Sequence, residues 1–221
     1  MKRDRRGAGV GGIAFAVFLL VGFTLFGPKG GHYSAPEIAT FVAQSSTGLI
    51  VSVYMIVVSM IGLFVVMAYL SETCFGAYRR RRVAWGTSLA AAVSFAIGWA
   101  LYLAAPISAS SGGPALDPAT SYALISAGFV VLFGVGGILL GLALLTLAIG
   151  GHSAPRWFRA FSGLAGLSAF FSWAFLLASN WSPNQWLPVP FYAVILWGLV
   201  IGVWLLVSSP RSDDPASGEQ T

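Results

Sequence analysis

Charge is what this sequence most lacks. Asp, Glu, Lys and Arg make up 9% of its 221 residues, where a water-soluble domain carries about 25%. Seven acids and twelve bases cannot cover a globular surface facing water, so lipid must be the solvent over most of the chain. Cysteine occurs once, as Cys74, which excludes an intrachain disulfide and dithiol chemistry. Histidine occurs twice, as His32 and His152. The two lie in loops on opposite faces of the topology derived below, about 30 Å apart across a hydrocarbon core. They cannot share a metal, and paired haem ligands within the membrane are missing.

Other absences narrow the chemistry. The long apolar runs contain no Asp, Glu, Lys, Arg or His, and buried charge is the usual mark of a proton relay or ion path. A proton-coupled pump or antiporter is therefore disfavoured. A channel or a carrier for apolar molecules needs no such charge. Neither Gly-x-Ser-x-Gly nor His-Glu-x-x-His occurs, and glycine-rich phosphate loops are absent. No cofactor is expected.

What is present is apolar length. Hydrophobic residues are 57% of the chain and the mean hydropathy is +0.82. About 20 apolar residues cross a bilayer as a helix, because every backbone amide must be satisfied internally there. Six runs qualify: Gly9–Gly27, Gly48–Leu70, Val83–Ala105, Ser121–Ile149, Ala160–Ser179 and Leu187–Val207. The first resembles a signal peptide, but it is longer than a usual h-region and lacks a small-x-small cleavage site. It is read as a retained span. The expectation is an all-α, six-transmembrane-helix bundle over residues 1–208, followed by a disordered cytoplasmic tail over 209–221.

Basic residues set the orientation. Lys2, Arg3, Arg5 and Arg6, then Arg79 to Arg82, Arg156, Arg159 and Arg211 fall on one side, eleven in all, against Lys29 on the other. The positive-inside rule puts both termini in the cytoplasm of a cell-membrane protein. Aromatic belts agree, with Trp85 and Trp157 at inner boundaries and Trp181 and Trp186 at outer ones. Because the bases cluster beside apolar runs, the net charge of +5 points to anionic lipid headgroups and away from nucleic acid.

Outside the spans, Ser34-Ala35-Pro36-Glu37 has the form of a capping box with Pro in the first turn. It predicts a short amphipathic outer helix, with Ile38, Phe41 and Val42 on one face, leading into the second span. Asp117-Pro118 is a second helix start. Within Tyr33–Tyr54 (YSAPEIATFVAQSSTGLIVSVY) an A-x-x-I-x-x-F outer helix runs into the second span, and a basic loop follows. This layout resembles a group of six-span membrane proteins of actinobacterial type that bear only domain-of-unknown-function labels. The resemblance covers most of the chain and implies a six-span fold, with no catalytic or binding residues to carry over.

Small residues mark where helices approach closely in lipid. Gly137-x-x-x-Gly141, Gly198-x-x-x-Gly202, the stripe Gly86/Ala90/Ser94/Gly98 and the set Ser162/Gly166/Ser168/Ser172 serve either intrachain packing or an interface with a homo-oligomer or membrane-protein partner. Arg79, Arg80, Arg81 and Arg82 are candidates for contact with anionic lipid, and also suffice as a topology signal. Tyr102, Tyr122, Trp181, Trp186 and Tyr192 are candidates for the rim of an outer vestibule, or for interfacial anchors. Polar groups within the spans, Ser52, Ser94, Ser126, Ser168 and Ser172 among them, would line a cavity if one exists. Three functions follow: a non-enzymatic structural or accessory membrane component; a carrier or channel for a small neutral or lipophilic molecule; and an enzyme with His32, Glu37 and Asp117 on its outer face.

Overall fold

A computed structural model describes residues 2–25, 34–75, 78–111, 116–178 and 189–208. The expected tail 209–221, Lys29, His32, Trp181, Trp186 and Arg211 lie outside the described residues. Among the described residues there are no strands, and six helices are long and apolar enough to cross a membrane. They are α1 (Lys2–Thr24), α2 (Ala35–Thr73), α3 (Tyr78–Ser110), α4 (Pro118–Gly150), α5 (Arg156–Ala178) and α6 (Val189–Val207).

Helices α2, α3 and α4 outrun their apolar runs at both ends, since a helix need not end where the hydrocarbon does. The segment from Ala35, expected as a separate short helix, is continuous with the second span, giving a helix of 39 residues, about 58 Å long. Its start is built as the sequence predicts. Glu37 Oε2 accepts from the Ser34 N–H at 2.7 Å and from the Ser34 hydroxyl at 2.8 Å. The Arg79–Arg82 run, expected in a loop, forms the first turns of α3. Pro106 is buried inside α3, four residues from its end, where it removes a single backbone bond.

Every sequential pair packs antiparallel, and α6 returns to α1, so the six helices close into a ring. Glycine makes the crossings. A Cβ on Gly62 of α2 would collide with the Gly11 carbonyl of α1, and one on Gly12 of α1 would lie 2.8 Å from the Gly198 carbonyl of α6. Gly98 and Gly128 meet likewise between α3 and α4, and Gly141 and Gly166 between α4 and α5. Both Gly-x-x-x-Gly motifs are thus occupied within the chain. The α3 stripe is not one seam. Gly86 is exposed with nothing within 4 Å of its Cβ position, while Gly98 is buried against α4.

Large apolar side chains point both ways. Phe15, Phe133, Phe158 and Trp197 are fully buried, whereas Ile61, Leu164 and Ile149 are mostly exposed. A surface so rich in exposed apolar groups fits lipid contact, not water.

Candidate functional site

The centre of the ring is aromatic. Phe191 of α6 meets three rings edge-on: Phe133 of α4 at 5.3 Å, Phe95 of α3 at 5.9 Å and Phe23 of α1 at 6.2 Å between centroids. Such T-shaped pairs place the positive ring edge on a negative face. The contact continues from Phe133 through Phe129 and Tyr102 to Trp99. Between these rings lies a cavity of about 10 Å³, walled by apolar side chains that include Phe15, Ile56, Trp99 and Leu132. That is at the lower limit for one water molecule, which would also need polar partners.

Beside the centre the backbone is irregular in two helices at once. Residues Val130–Gly136 of α4 form a π-helix, and the Gly137 N–H donates to the Leu132 carbonyl five residues back. Opposite, α5 leaves helical geometry at Phe171 (φ −85°, ψ 8°) and resumes at Ser172. The Ser172 hydroxyl donates to the Phe133 carbonyl within the π-helix. Gly137 makes room for it, since a Cβ there would collide with Ser172 Oγ. Widening a turn loosens its carbonyls, and in lipid each needs a partner.

Several polar side chains of the spans tie one helix to another. The Ser52 hydroxyl donates to the Gly22 carbonyl at 2.8 Å, joining α2 to α1. The Ser168 hydroxyl donates to the Pro190 carbonyl at 2.7 Å, and the Trp197 indole N–H donates to Ser162 Oγ at 2.9 Å, joining α5 and α6. Ser59, Ser94 and Thr146 donate to carbonyls of their own helices. Ser71 and Ser126 carry buried hydroxyls without a hydrogen-bond partner. None of these side chains lines the central cavity. The Trp197–Ser162 and Ser172–Phe133 ties join residues 35 and 39 apart, and no local pattern announces them.

At one end of the ring lie Arg5, Arg6, Arg79 to Arg82, His152, Arg156 and Arg159, with Asp4 and Glu72. The other end has Glu37 and Asp117 and, among the described residues, no Lys or Arg. Three of the four candidate lipid contacts have partners. Arg81 forms an ion pair with Glu72. Arg80 Nη1 donates to His152 Nε2 at 2.8 Å, which requires that ring nitrogen to be unprotonated. Arg82 lies over the Tyr78 ring, 4.3 Å from its centroid. Arg79 is exposed. Arg159 Nε donates to the Ala148 carbonyl at 2.9 Å, closing the end of α4.

The vestibule candidates fall in different settings. Tyr102 is buried at 2% exposure, Tyr122 is half-buried and Tyr192 is 48% exposed; Trp181 and Trp186 lie outside the described residues. Tyr102 and Tyr122 share the α3–α4 side, while Tyr192 packs edge-on against Phe23 of α1. Of the outer-face trio, Glu37 and Asp117 both serve helix starts. Asp117 accepts from the Thr120 hydroxyl and, at 3.0 Å, from the Thr120 N–H. These bonds hold its carboxyl below the ordinary carboxylate pKa. Cys74 is 5% exposed beyond the end of α2, and burial pushes its thiol pKa up, against the reactive thiolate form. Among the described residues, no three His, Cys, Asp or Glu come together.

No protein-family model, curated protein or solved structure matches the chain. Six helices of this length and apolar composition are compatible with a multi-pass membrane protein.

Proposed function

We propose that this protein is a non-enzymatic component of the cell membrane, a structural or accessory partner for another membrane protein or a second copy, with both termini in the cytoplasm. One observation carries the reading: Ser52, Ser168, Ser172 and Trp197 tie helix to helix around an aromatic centre whose small cavity none of them lines. Both Gly-x-x-x-Gly faces are spent inside the ring as well, so a partner would meet the outward apolar ridges. The cationic end supports the cytoplasmic assignment of the termini. Crosslinking in intact cells followed by gentle extraction tests the proposal. A defined adduct, with a partner or with itself, is expected; recovery of a lone monomer without crosslinked product would count against it.

A carrier or channel for a small neutral or lipophilic molecule is the second reading. It is favoured by the π-helix of α4 and the facing interruption of α5, because irregular helices at membrane depth commonly border a transport path. Flux of small neutral solutes through reconstituted vesicles, above that of protein-free vesicles, would move the assignment to this reading.

A further inference from the structure

Resting on the membrane reading above, we infer that the cationic end carries a specific site for an anionic diacyl phospholipid, formed by α6 with the starts of α1 and α5. A groove of about 500 Å³ runs along the outer face of α6, lined by Leu199, Val200, Val203, Trp204, Val207 and Ser208. Apart from the terminal serine its walls are apolar, so it suits an acyl chain. Its cationic end is organised around Trp204. The Arg5 guanidinium lies over the indole, 5.8 Å from the centroid, and Trp157 of α5 abuts the same ring edge-on at 5.5 Å. Arg6 follows Arg5, and Arg156 precedes Trp157; both are exposed. Asp4 is the acidic neighbour of Arg5, and the arginines outweigh it.

Charge complementarity selects the occupant. A phosphodiester at the groove mouth meets guanidinium groups that donate in forked pairs, while its chain lies on Val203 and Val207. Tryptophans at this depth favour the boundary between headgroup and hydrocarbon. The Arg79–Arg82 run, the more conspicuous basic segment, is less available. Arg80 and Arg81 already hold His152 and Glu72 through their guanidinium donors.

Native mass spectrometry of the full-length protein with phosphatidylglycerol or phosphatidylcholine tests the site. Phosphatidylglycerol is expected to be retained preferentially. Arg5→Gln should weaken that preference on the order of fivefold. Val203→Trp, which fills the groove and leaves every charge in place, should weaken binding of the lipid similarly. Arg79→Gln should leave both unchanged, with thermal unfolding confirming that each variant is folded. Equal retention of the two lipids would overturn the site, as would a loss with Arg79→Gln matching that with Arg5→Gln. Stronger lipid binding after removal of residues 209–221 would show the groove covered by the tail, and a dimer abolished by Val203→Trp would show it covered by a second copy. Either would replace the lipid as occupant. These readouts do not depend on an accessory partner being found, so the failure of one proposal is separable from the failure of the other.

Discussion

The two flanks of the ring solve the same packing problem with different backbones. Around α1 the helices are regular, and Gly9, Gly11, Gly12 and Gly22 bring it against α2 and α6. Around α4 and α5, Gly141 and Gly166 make an equally close crossing, yet a few residues away the chain widens into a π-helix and its neighbour is interrupted at Phe171. Close approach holds the regular flank together, through dispersion and the absence of side chains, with one side-chain tie from Ser52 to the Gly22 carbonyl of an unbroken helix. The irregular flank needs in addition a donor, Ser172, for a loosened carbonyl. Lipid thus tolerates departures from the helix only where a neighbouring side chain supplies the missing partner.

Overpacking should produce the largest effects and should not distinguish the flanks. Gly62→Leu would drive carbon into the Gly11 carbonyl, and Gly141→Leu would place it 2.5 Å from the Phe170 nitrogen. Both obstacles are backbone and cannot move aside, so each variant should lose about 3 kcal/mol or more, seen as loss of folded protein in detergent. Gly86→Leu, in open space, should change thermal stability by less than about 0.5 kcal/mol. Equal damage from all three would mean that glycine matters for helix flexibility rather than for close approach.

Next in size, Phe191→Ala removes the ring on which three helices converge and should cost about 3 kcal/mol. Phe171→Ala, at a half-exposed position, should cost far less by the same thermal measurement. The comparison between the flanks sharpens at the serines. Ser172→Ala should cost about 1 kcal/mol and increase hydrogen exchange of the Gly134–Gly137 amides. Ser59→Ala, which removes a bond to its own helix's Ile56 carbonyl, should cost close to nothing. If the two serines are equivalent, the π-helix does not depend on its donor.

The smallest effect concerns the start of α4. The Asp117 pKa is lowered in the folded state by its bonds from Thr120. Its contribution is therefore complete above the unfolded carboxylate value of about 3.9 and disappears as pH falls through the lowered folded value. Exchange of the Thr120 amide should accelerate in that acidic window, relative to neighbours further along α4. Asp117→Asn retains a capping oxygen without a titrating proton, so it should abolish that pH dependence.

The spans were legible because lipid leaves an unambiguous mark: six long runs without charge. Faces within them were not, since core and lipid are equally apolar and no periodicity separates them. The α3 stripe shows the consequence. Residues four apart advance about 40° around a helix of 3.6 residues per turn, so Gly86 and Gly98 lie about 120° apart and face different surroundings. Tyr102 follows Gly98 by one such step and is buried with it. The starts at Ser34 and Asp117 could be read from four residues because capping is local. The partner of Arg80 could not be, because His152, 72 residues further on, reaches it only through the ring. Nothing in VVLFGVG distinguishes a π-helix from an α-helix, as the difference lies in what α5 offers across the interface.

The most direct test of a closed aromatic centre is a structure of the protein in lipid nanodiscs, examined for density between the helices. The expected result is Phe23, Phe95 and Phe133 each packed against Phe191, with lipid confined to the outside, including an ordered chain along α6. Ordered non-protein density among those four rings would contradict it and assign the centre to a transported or bound molecule.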